Sequence, residues 1–262
     1  MEIGWFSTGE DWIAIELLRR VQKAIRRGEI KARIKFVFSN QEVGESQATN
    51  RFLSFASDDE ALPIETFSSK KFKPDLWIEN REKWRREYDS EVIRQLKRRG
   101  FLPVDLIVLA GYMLIVGEEM CQKYKMINLH PAAPGSPTGT WQEVIWKLIA
   151  TKAEYSGVMM HLVTPELDKG PPVTYCTFPI RDESNQALWE GVERGSSLSK
   201  QNLFWEIRRR GLQREFPLIL ATLKAFSQGK VRIEEGRIVN ARGEEIPGYN
   251  LTEEIDTAGE RR

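Results

Sequence analysis

The sequence predicts an α/β fold with a mostly parallel central sheet and helices on both of its faces. Residues 2–6 are apolar, residues 13–25 carry apolar side chains at helical spacing, and residues 31–38 alternate before running apolar. Strand, helix and strand in this order are typical of a βαβ unit with parallel strands. Residues 105–110 (DLIVLA) are almost continuously apolar, as expected of a central strand that is covered on both faces.

Further elements follow from the same kinds of pattern. Short strands are predicted at 62–67 and 126–129, helices at 79–99, 141–151 and 198–228, and two strands at 156–164 and 172–180. Residues 231–233 and 237–239 flank a Glu-Glu-Gly turn and predict a C-terminal β-hairpin. We therefore expect one domain over residues 1–250, a Pro- and Gly-rich loop at 131–140, and a disordered tail at 251–262.

The composition excludes several classes of protein. Lys and Arg number 39 against 38 Asp and Glu, so the charge gives no general case for nucleic acid or for an acidic membrane surface. Cys121 and Cys176 form no CxxC pair, which argues against a zinc ribbon or a disulfide scaffold. The N-terminus lacks the features of a signal peptide, and no apolar run approaches the roughly 20 residues of a membrane span. We expect a cytoplasmic protein, and a homodimer is compatible with the sequence.

Three polar segments follow predicted strands. Ser7-Thr8-Gly9 comes after the first strand, Gly111-Tyr112-Met113 after the central strand, and Asn128-Leu129-His130 at the end of the next. Ligands bind at the carboxyl ends of the strands in open α/β sheets. These segments therefore predict a binding site at one edge of the sheet.

Asn128 and His130 are the strongest candidates for chemistry. They lie two residues apart, so in extended chain both side chains face the same way. An amide and an imidazolium on one face can stabilise a carbonyl oxygen that gains negative charge, and Asp168, in a turn with Gly170, could orient the histidine or raise its pKa. On spacing alone a structural role remains the simpler interpretation. The other histidine, His161, lies in an apolar strand and is interpreted as a packed core residue.

Three segments together resemble the folate-dependent formyltransferases: residues 105–116 (DLIVLAGYMLIV), 126–131 (MINLHP) and 161–171 (HLVTPELDKGP). The resemblance extends over about residues 3–233 and is strongest to the phosphoribosylglycinamide formyltransferase branch, which residues 37–40 (VFSN) also match. It implies a Rossmann-like sheet with an added C-terminal hairpin, 10-formyltetrahydrofolate as formyl donor, and a primary amine as acceptor. It implies no metal. The implied partners are thus the folate and a small amine.

The resemblance also implies roles for individual residues. Asn128 and His130 would polarise the formyl carbonyl, while Asp168 would hold His130 in its charged form and relay protons through water. The residues that would contact the folate are Arg85, Met113, Leu114, Ile115, Val116, Thr164, Glu166 and Leu167. The residues that would contact the acceptor are Ser7, Thr8, Gly9 and Gly111.

The acceptor side departs from the family pattern. The family's phosphate loop is approximately SGxGSN, whereas this chain has a shorter segment in which Glu10 and Asp11 follow Gly9. A family glutamate on the last long helix falls near Leu212, where Arg208–Arg210, Arg214 and Glu215 cluster instead. A charge cluster on a helix usually faces solvent, but this one could supply a phosphate partner.

Several acceptors therefore remain open. We expect the formyl acceptor to be glycinamide ribonucleotide. The alternatives are a different amine, such as a nucleotide amino sugar, and water, which would make the protein a formyltetrahydrofolate hydrolase. The methionyl-tRNA branch usually adds a C-terminal barrel and a basic RNA surface, and about 30 residues after the last long helix do not suffice for these. A folate-binding protein without activity is disfavoured because all three catalytic residue types are present.

Overall fold

The computed structural model describes residues 1–260. The strands are β1 (Glu2–Phe6), β2 (Arg33–Ser39), β3 (Ile64–Thr66), β4 (Leu106–Leu109), β5 (Met126–His130), β6 (Tyr155–Leu162), β7 (Pro172–Pro179), β8 (Val231–Glu234), β9 (Arg237–Asn240) and β10 (Tyr249–Asn250). The helices are α1 (Trp12–Arg26), α2 (Gln47–Ser54), α3 (Pro74–Glu79), α4 (Arg81–Arg98), α5 (Glu118–Lys123), α6 (Trp141–Ala150), α7 (Gln186–Glu193), α8 (Ser197–Ser227) and α9 (Thr252–Glu260).

Eight strands form one sheet in the order β10-β7-β6-β5-β4-β1-β2-β3. The pairs from β3 to β5 are all parallel, whereas β6 pairs antiparallel with both β5 and β7. β8 and β9 form a separate antiparallel hairpin. The predicted α/β class, with a mostly parallel sheet, helices on both faces and a C-terminal hairpin, is confirmed.

Alternate side chains of the central strands enter two separate cores. In β4, Leu106 and Val108 belong to the core under α1, α6 and α8, while Ile107 and Leu109 belong to the core under α4 and α5. Burial on both faces explains why this strand is apolar at every position. No helix within residues 1–260 has the length and apolar character needed to cross a membrane.

The direction of the strand order changes beside β1. The chain runs from β1 to β2 and β3 on one side, and then returns to place β4 on the other side of β1. A ligand crevice forms outside the carboxyl ends of the strands at such a reversal. The segments that follow β1, β4 and β5 therefore meet at one edge.

Most differences from the predicted elements concern short helices. α2, α5 and α7 have only six to eight residues, too few for a clear helical period. The predicted helix over 79–99 starts instead at Arg81, because the side chain of Asn80 accepts a hydrogen bond from the Lys83 amide and caps α4. α8 continues through Gly211 and Pro217 without a break.

The C-terminal segment differs from the expected disordered tail. β10 pairs with β7, and α9 occupies Thr252–Glu260. Leu251 and Ile255, four residues apart, are both buried in the main core, and Thr252 Oγ1 accepts a hydrogen bond from the Thr177 amide. Strand pairing, two buried apolar side chains and this hydrogen bond together hold a segment that is polar overall. Residues 261–262 lie outside the described residues.

Candidate active site

A cavity of about 710 Å³ lies at the edge of the sheet where the strand order reverses. Its wall contains the segment that follows β4, the end of β5, the turn after β6, the start of α1 and α6, and part of α8. Asn128, His130 and Asp168 all line it. The structure thus brings together the three side chains that the sequence singled out.

Asn128 and His130 come from neighbouring positions on β5. β5 pairs with parallel β4 on one side and antiparallel β6 on the other, which fixes its strand geometry. His130 is only 3% exposed. Its Nε2 is buried and makes no hydrogen bond within the described residues. A buried polar atom without a partner in a cavity wall is suited to a ligand atom, since an unpaired one is costly.

Asp168 reaches the histidines from the turn between β6 and β7. It adopts a left-handed backbone conformation with φ of +54°, which asparagine and aspartate tolerate better than most residues. Gly170 makes this turn possible, because a Cβ there would lie 1.7 Å from the Leu162 carbonyl oxygen. Asp168 Oδ2 lies 3.7 Å from His130 Nδ1, and Oδ1 lies 3.5 Å from His161 Nε2.

His161 belongs to this cluster, and the interpretation of it as a mere core residue was wrong. It is buried, but it lines the cavity, and its Nε2 lies 3.1 Å from Asn128 Nδ2. Its Nδ1 lies 2.9 Å from the Leu162 carbonyl, which can only accept, so Nδ1 carries the hydrogen. Nε2 then lies between the Asn128 amide and Asp168 Oδ1, and where it carries no hydrogen it accepts from the Asn128 amide and orients it.

The charges of the cluster differ from the expectation. Burial lowers the pKa of His130, and although the charge of Asp168 and the Pro137 carbonyl act in the opposite direction, the lowering prevails. Burial alone would raise the pKa of Asp168, but its contacts with His161, His130 and the Gly139 amide lower it below its ordinary value. Near neutral pH the lowered pKa of His130 favours its neutral form, and the lowered pKa of Asp168 favours its ionised form.

Most of the predicted folate contacts line one end of the cavity. They are Met113, Leu114, Ile115, Val116, Thr164 and Leu167. Met113 and Leu167 are large apolar side chains with exposures of 57% and 49%. Exposed apolar groups at a cavity mouth are suited to an aromatic ligand.

Two predicted folate contacts lie elsewhere. Arg85 is not in the cavity wall but lies behind it, beside Gly117 and Asp89. Glu166 lines a neighbouring shallow pocket, where its carboxylate lies 3.2 Å from Lys169 Nζ. The fold decides which residues of a loop face the cavity, and the spacing of residues in the sequence could not predict this.

Of the predicted acceptor contacts, Gly111 lines the cavity and Ser7, Thr8 and Gly9 do not. Thr8 is fully engaged inside the protein: its hydroxyl donates to Asn40 and accepts from the Met113 amide. It thereby holds the start of the segment after β4 that lines the cavity. Gly9, with φ of +71°, packs against Phe52 and turns the chain into α1.

The next two residues do face the cavity. Glu10 and Asp11 both line it. Asp11 is the N-cap of α1, and its Oδ1 accepts hydrogen bonds from the amides of Ile13 and Ala14 at 2.9 and 3.1 Å. A helix N-terminus would otherwise offer these amides to an anion, but here a carboxylate occupies them.

The part of the cavity wall that is formed by α6 and α8 contains an ion pair. Arg208 and Glu215 on α8 line the cavity, are almost fully buried, and form a hydrogen-bonded pair, and the Arg208 guanidinium lies 4.5 Å from the centre of the Trp141 ring. The expected solvent-facing cluster is therefore wrong for Arg208. It is also wrong for Arg210, which is buried against Asp182. Helical spacing reveals which residues share a face, not which element covers that face.

Within residues 1–260, no group of three or more His, Cys, Asp or Glu side chains has an arrangement that could hold a metal ion. The free thiols of Cys121 and Cys176 stand apart from the histidine cluster.

Comparison with known proteins agrees with this arrangement. The family model described as formyl transferase matches residues 14–194, more than half of the chain. Phosphoribosylglycinamide formyltransferase from Haemophilus influenzae is 25% identical over 222 residues, covering 83% of this chain and 85% of the relative. The enzyme of that name from Dictyostelium discoideum is 28% identical over 172 residues, covering 62% and 78%.

Solved structures share the fold. Phosphoribosylglycinamide formyltransferase from Coxiella burnetii superposes with a TM-score of 0.69 at 18% identity, covering 95% of this chain and 98% of that one. A formyltetrahydrofolate deformylase from Pseudomonas syringae pv. tomato gives 0.62 at 19% identity, covering 91% and 65%. With the family model matching most of the chain, the protein belongs to the formyl transferase family.

Proposed function

We propose that this protein transfers the formyl group of 10-formyltetrahydrofolate to the amine of glycinamide ribonucleotide. The observation that carries the proposal is the cluster of Asn128, His130, Asp168 and His161 in the wall of one cavity with an apolar end. The names of the relatives supply the acceptor. The folate pterin would bind the apolar end, between the segment after β4 and the turn after β6.

The cluster suits attack by an amine on a formyl carbon. One N–H of the Asn128 amide is bound to His161 Nε2, which leaves the other for the formyl oxygen. A preorganised donor at the place where negative charge develops lowers the barrier. His161 is thus a positioning residue that orients the donor.

In this proposal His130 accepts a proton from the amine and later donates it. Nδ1 of His130 faces the Asp168 carboxylate at 3.7 Å, and a neutral ring with its hydrogen on Nδ1 has a free lone pair on Nε2. As the C–N bond to the acceptor forms, the amine loses a proton, which His130 Nε2 can take directly or through water. The resulting imidazolium, stabilised by Asp168, donates to the oxyanion, and the proton then passes to N10 as the bond from the formyl carbon to N10 breaks.

The test is an acceptor panel. The protein is mixed with a 5,8-dideaza analogue of 10-formyltetrahydrofolate, and the deformylated product is followed with glycinamide ribonucleotide, with nucleotide amino sugars, and without any amine. Turnover that requires glycinamide ribonucleotide supports the proposal. Turnover without amine indicates a hydrolase, and turnover with an amino sugar alone contradicts the proposed acceptor.

Asp168→Asn tests whether the turnover measured in this panel depends on the cavity. The substitution keeps the shape of the side chain but removes the charge that stabilises the imidazolium, so we expect the rate to fall at least about 100-fold. An equal rate would separate the measured turnover from this cavity. The cytoplasmic location, the single domain and a homodimer remain predictions, to be tested by cell fractionation, limited proteolysis and sedimentation.

A further inference from the structure

The two helices that begin in the cavity wall, α1 and α6, each have a carboxylate bound at the N-terminus, and we call this part of the wall, together with α8, the acceptor end. Asp11 caps α1, as described above. At α6, Glu143 accepts hydrogen bonds from the amide and hydroxyl of Thr140, while the Thr140 hydroxyl accepts from the Glu143 amide. A phosphate at either terminus would compete with a carboxylate already bound there. A positively charged side chain is therefore better suited than either helix N-terminus to hold an acceptor phosphate.

Arg208 is the one Lys or Arg among the residues that line this cavity. It is 7% exposed, and it is held from two sides, by the Glu215 carboxylate and by the face of Trp141. A guanidinium carries five N–H donors. Among the described residues, Glu215 is its one hydrogen-bond acceptor, so donors remain for an oxygen in the cavity.

We infer that Arg208 binds the phosphate group of the acceptor amine, in place of a helix N-terminus. The inference rests on the proposed function and adds to it the anchor that selects a phosphorylated acceptor. Arginine suits this role because its planar fork presents two parallel donors to phosphate oxygens. Trp141 and Glu215 hold the fork in place before the acceptor arrives, which limits the entropy lost on binding.

The protonation of Glu215 also bears on how a phosphate can bind beside its carboxylate. Burial raises the pKa of its carboxyl group, although the charge of Arg208 opposes this. A carboxyl with a raised pKa takes up a proton more readily when a phosphate approaches. Arg208 then remains available to the phosphate.

The test compares two ligands that differ only in the phosphate: glycinamide ribonucleotide and the corresponding riboside. Binding of each to the full chain is measured by calorimetry without folate. Because hydrogen bonds to a charged group are strong, we expect wild-type protein to bind the ribonucleotide about 10- to 100-fold more tightly. In Arg208→Gln/Glu215→Gln, which leaves no orphaned buried charge, the preference should fall below about threefold.

Arg209→Gln is the matched control. Arg209 lies next in the sequence on α8, but it is paired with Glu206 on the surface and does not line the cavity, so its variant should keep the full preference. A melting curve of each variant shows whether it is folded. Arg208→Lys provides a second variant, with the charge kept and the fork lost, and should retain part of the preference.

Two results would overturn the inference. One is equal binding of both ligands by wild-type protein, which would mean that the acceptor end does not bind the phosphate group. The other is an undiminished preference in the folded double variant. Transfer of formyl to both acceptors with equal efficiency would leave the proposed reaction standing without this anchor, whereas an Arg208-dependent preference without any formyl transfer would refute the reaction and keep the anchor.

Discussion

His130 offers the most direct test of the chemistry. Its Nε2 is buried in the cavity wall and has no hydrogen-bond partner among the described residues, so replacing the ring removes no internal hydrogen bond of that atom. In the proposed reaction the same atom takes the amine proton and then donates to the oxyanion. We therefore expect His130→Ala to slow formyl transfer without a comparable loss of folate affinity.

The magnitude follows from the loss of one donor at the developing oxyanion. Such losses lower kcat by about 10²–10³, or about 2.7–4 kcal/mol of transition-state stabilisation. Asn128 remains in the variant, bound to His161 at 3.1 Å, and it keeps part of the stabilisation. Complete loss of activity is therefore not expected.

The assay is single turnover with saturating 5,8-dideaza analogue and glycinamide ribonucleotide. Calorimetry with the deformylated folate analogue serves as the control, and its Kd should change by less than about threefold, because the apolar end does not include the imidazole. His130→Gln fills the space better and tests whether the lost volume matters. A rate within threefold of wild type for folded His130→Ala would remove this residue from the mechanism.

Three further predictions concern stability. Burial raises the pKa of Asp89 to about 7. Above about pH 4 the folded state therefore keeps a proton that the unfolded state has released, so the free energy of unfolding of the wild type falls as the pH rises. Relative to wild type, the free energy of unfolding of Asp89→Asn, measured by denaturant titration, should rise by up to about 4 kcal/mol between pH 4.5 and 8. Parallel pH curves for the two proteins would contradict this. Gly170→Ala should lower the melting temperature and the formyl transfer rate together, since its Cβ would meet the Leu162 carbonyl at 1.7 Å, and an unchanged melting curve would show that the turn is less tightly packed. Asp11→Ala should lose about 1 kcal/mol of unfolding free energy and Asp11→Ser much less, because the cap of α1 is kept only in the latter; equal losses would argue against capping.

The central sheet was predictable because its strands are buried on both faces. Residues 105–110 are apolar at every position, and the strand they predicted is β4 in the middle of the sheet. The tail was not predictable in the same way. Leu251 and Ile255 are too few to form a pattern, and they become informative only against the surfaces of β7 and α8.

The catalytic trio was predictable from a short motif and a resemblance, but its electrostatics were not. The sequence suggested that Asp168 would keep His130 charged. In the structure, burial has the larger effect on His130 and lowers its pKa. The extent to which water is excluded from a side chain depends on all the residues packed around it. It cannot be predicted from the spacing of residues in the sequence.

The sequence by itself determined the order of the main strands and long helices, the candidate residues Asn128, His130 and Asp168, and the membership of a folate-using family. These depend on local patterns and on motifs contiguous in the chain. The tertiary structure alone decided that His161 contacts the Asn128 amide, that the Thr8 hydroxyl is hydrogen-bonded inside the protein, and that Arg208 lies in the cavity wall. Each of these depends on contacts between residues 32 or more positions apart. Such contacts are set by strand register and helix packing, which form only when the whole chain folds.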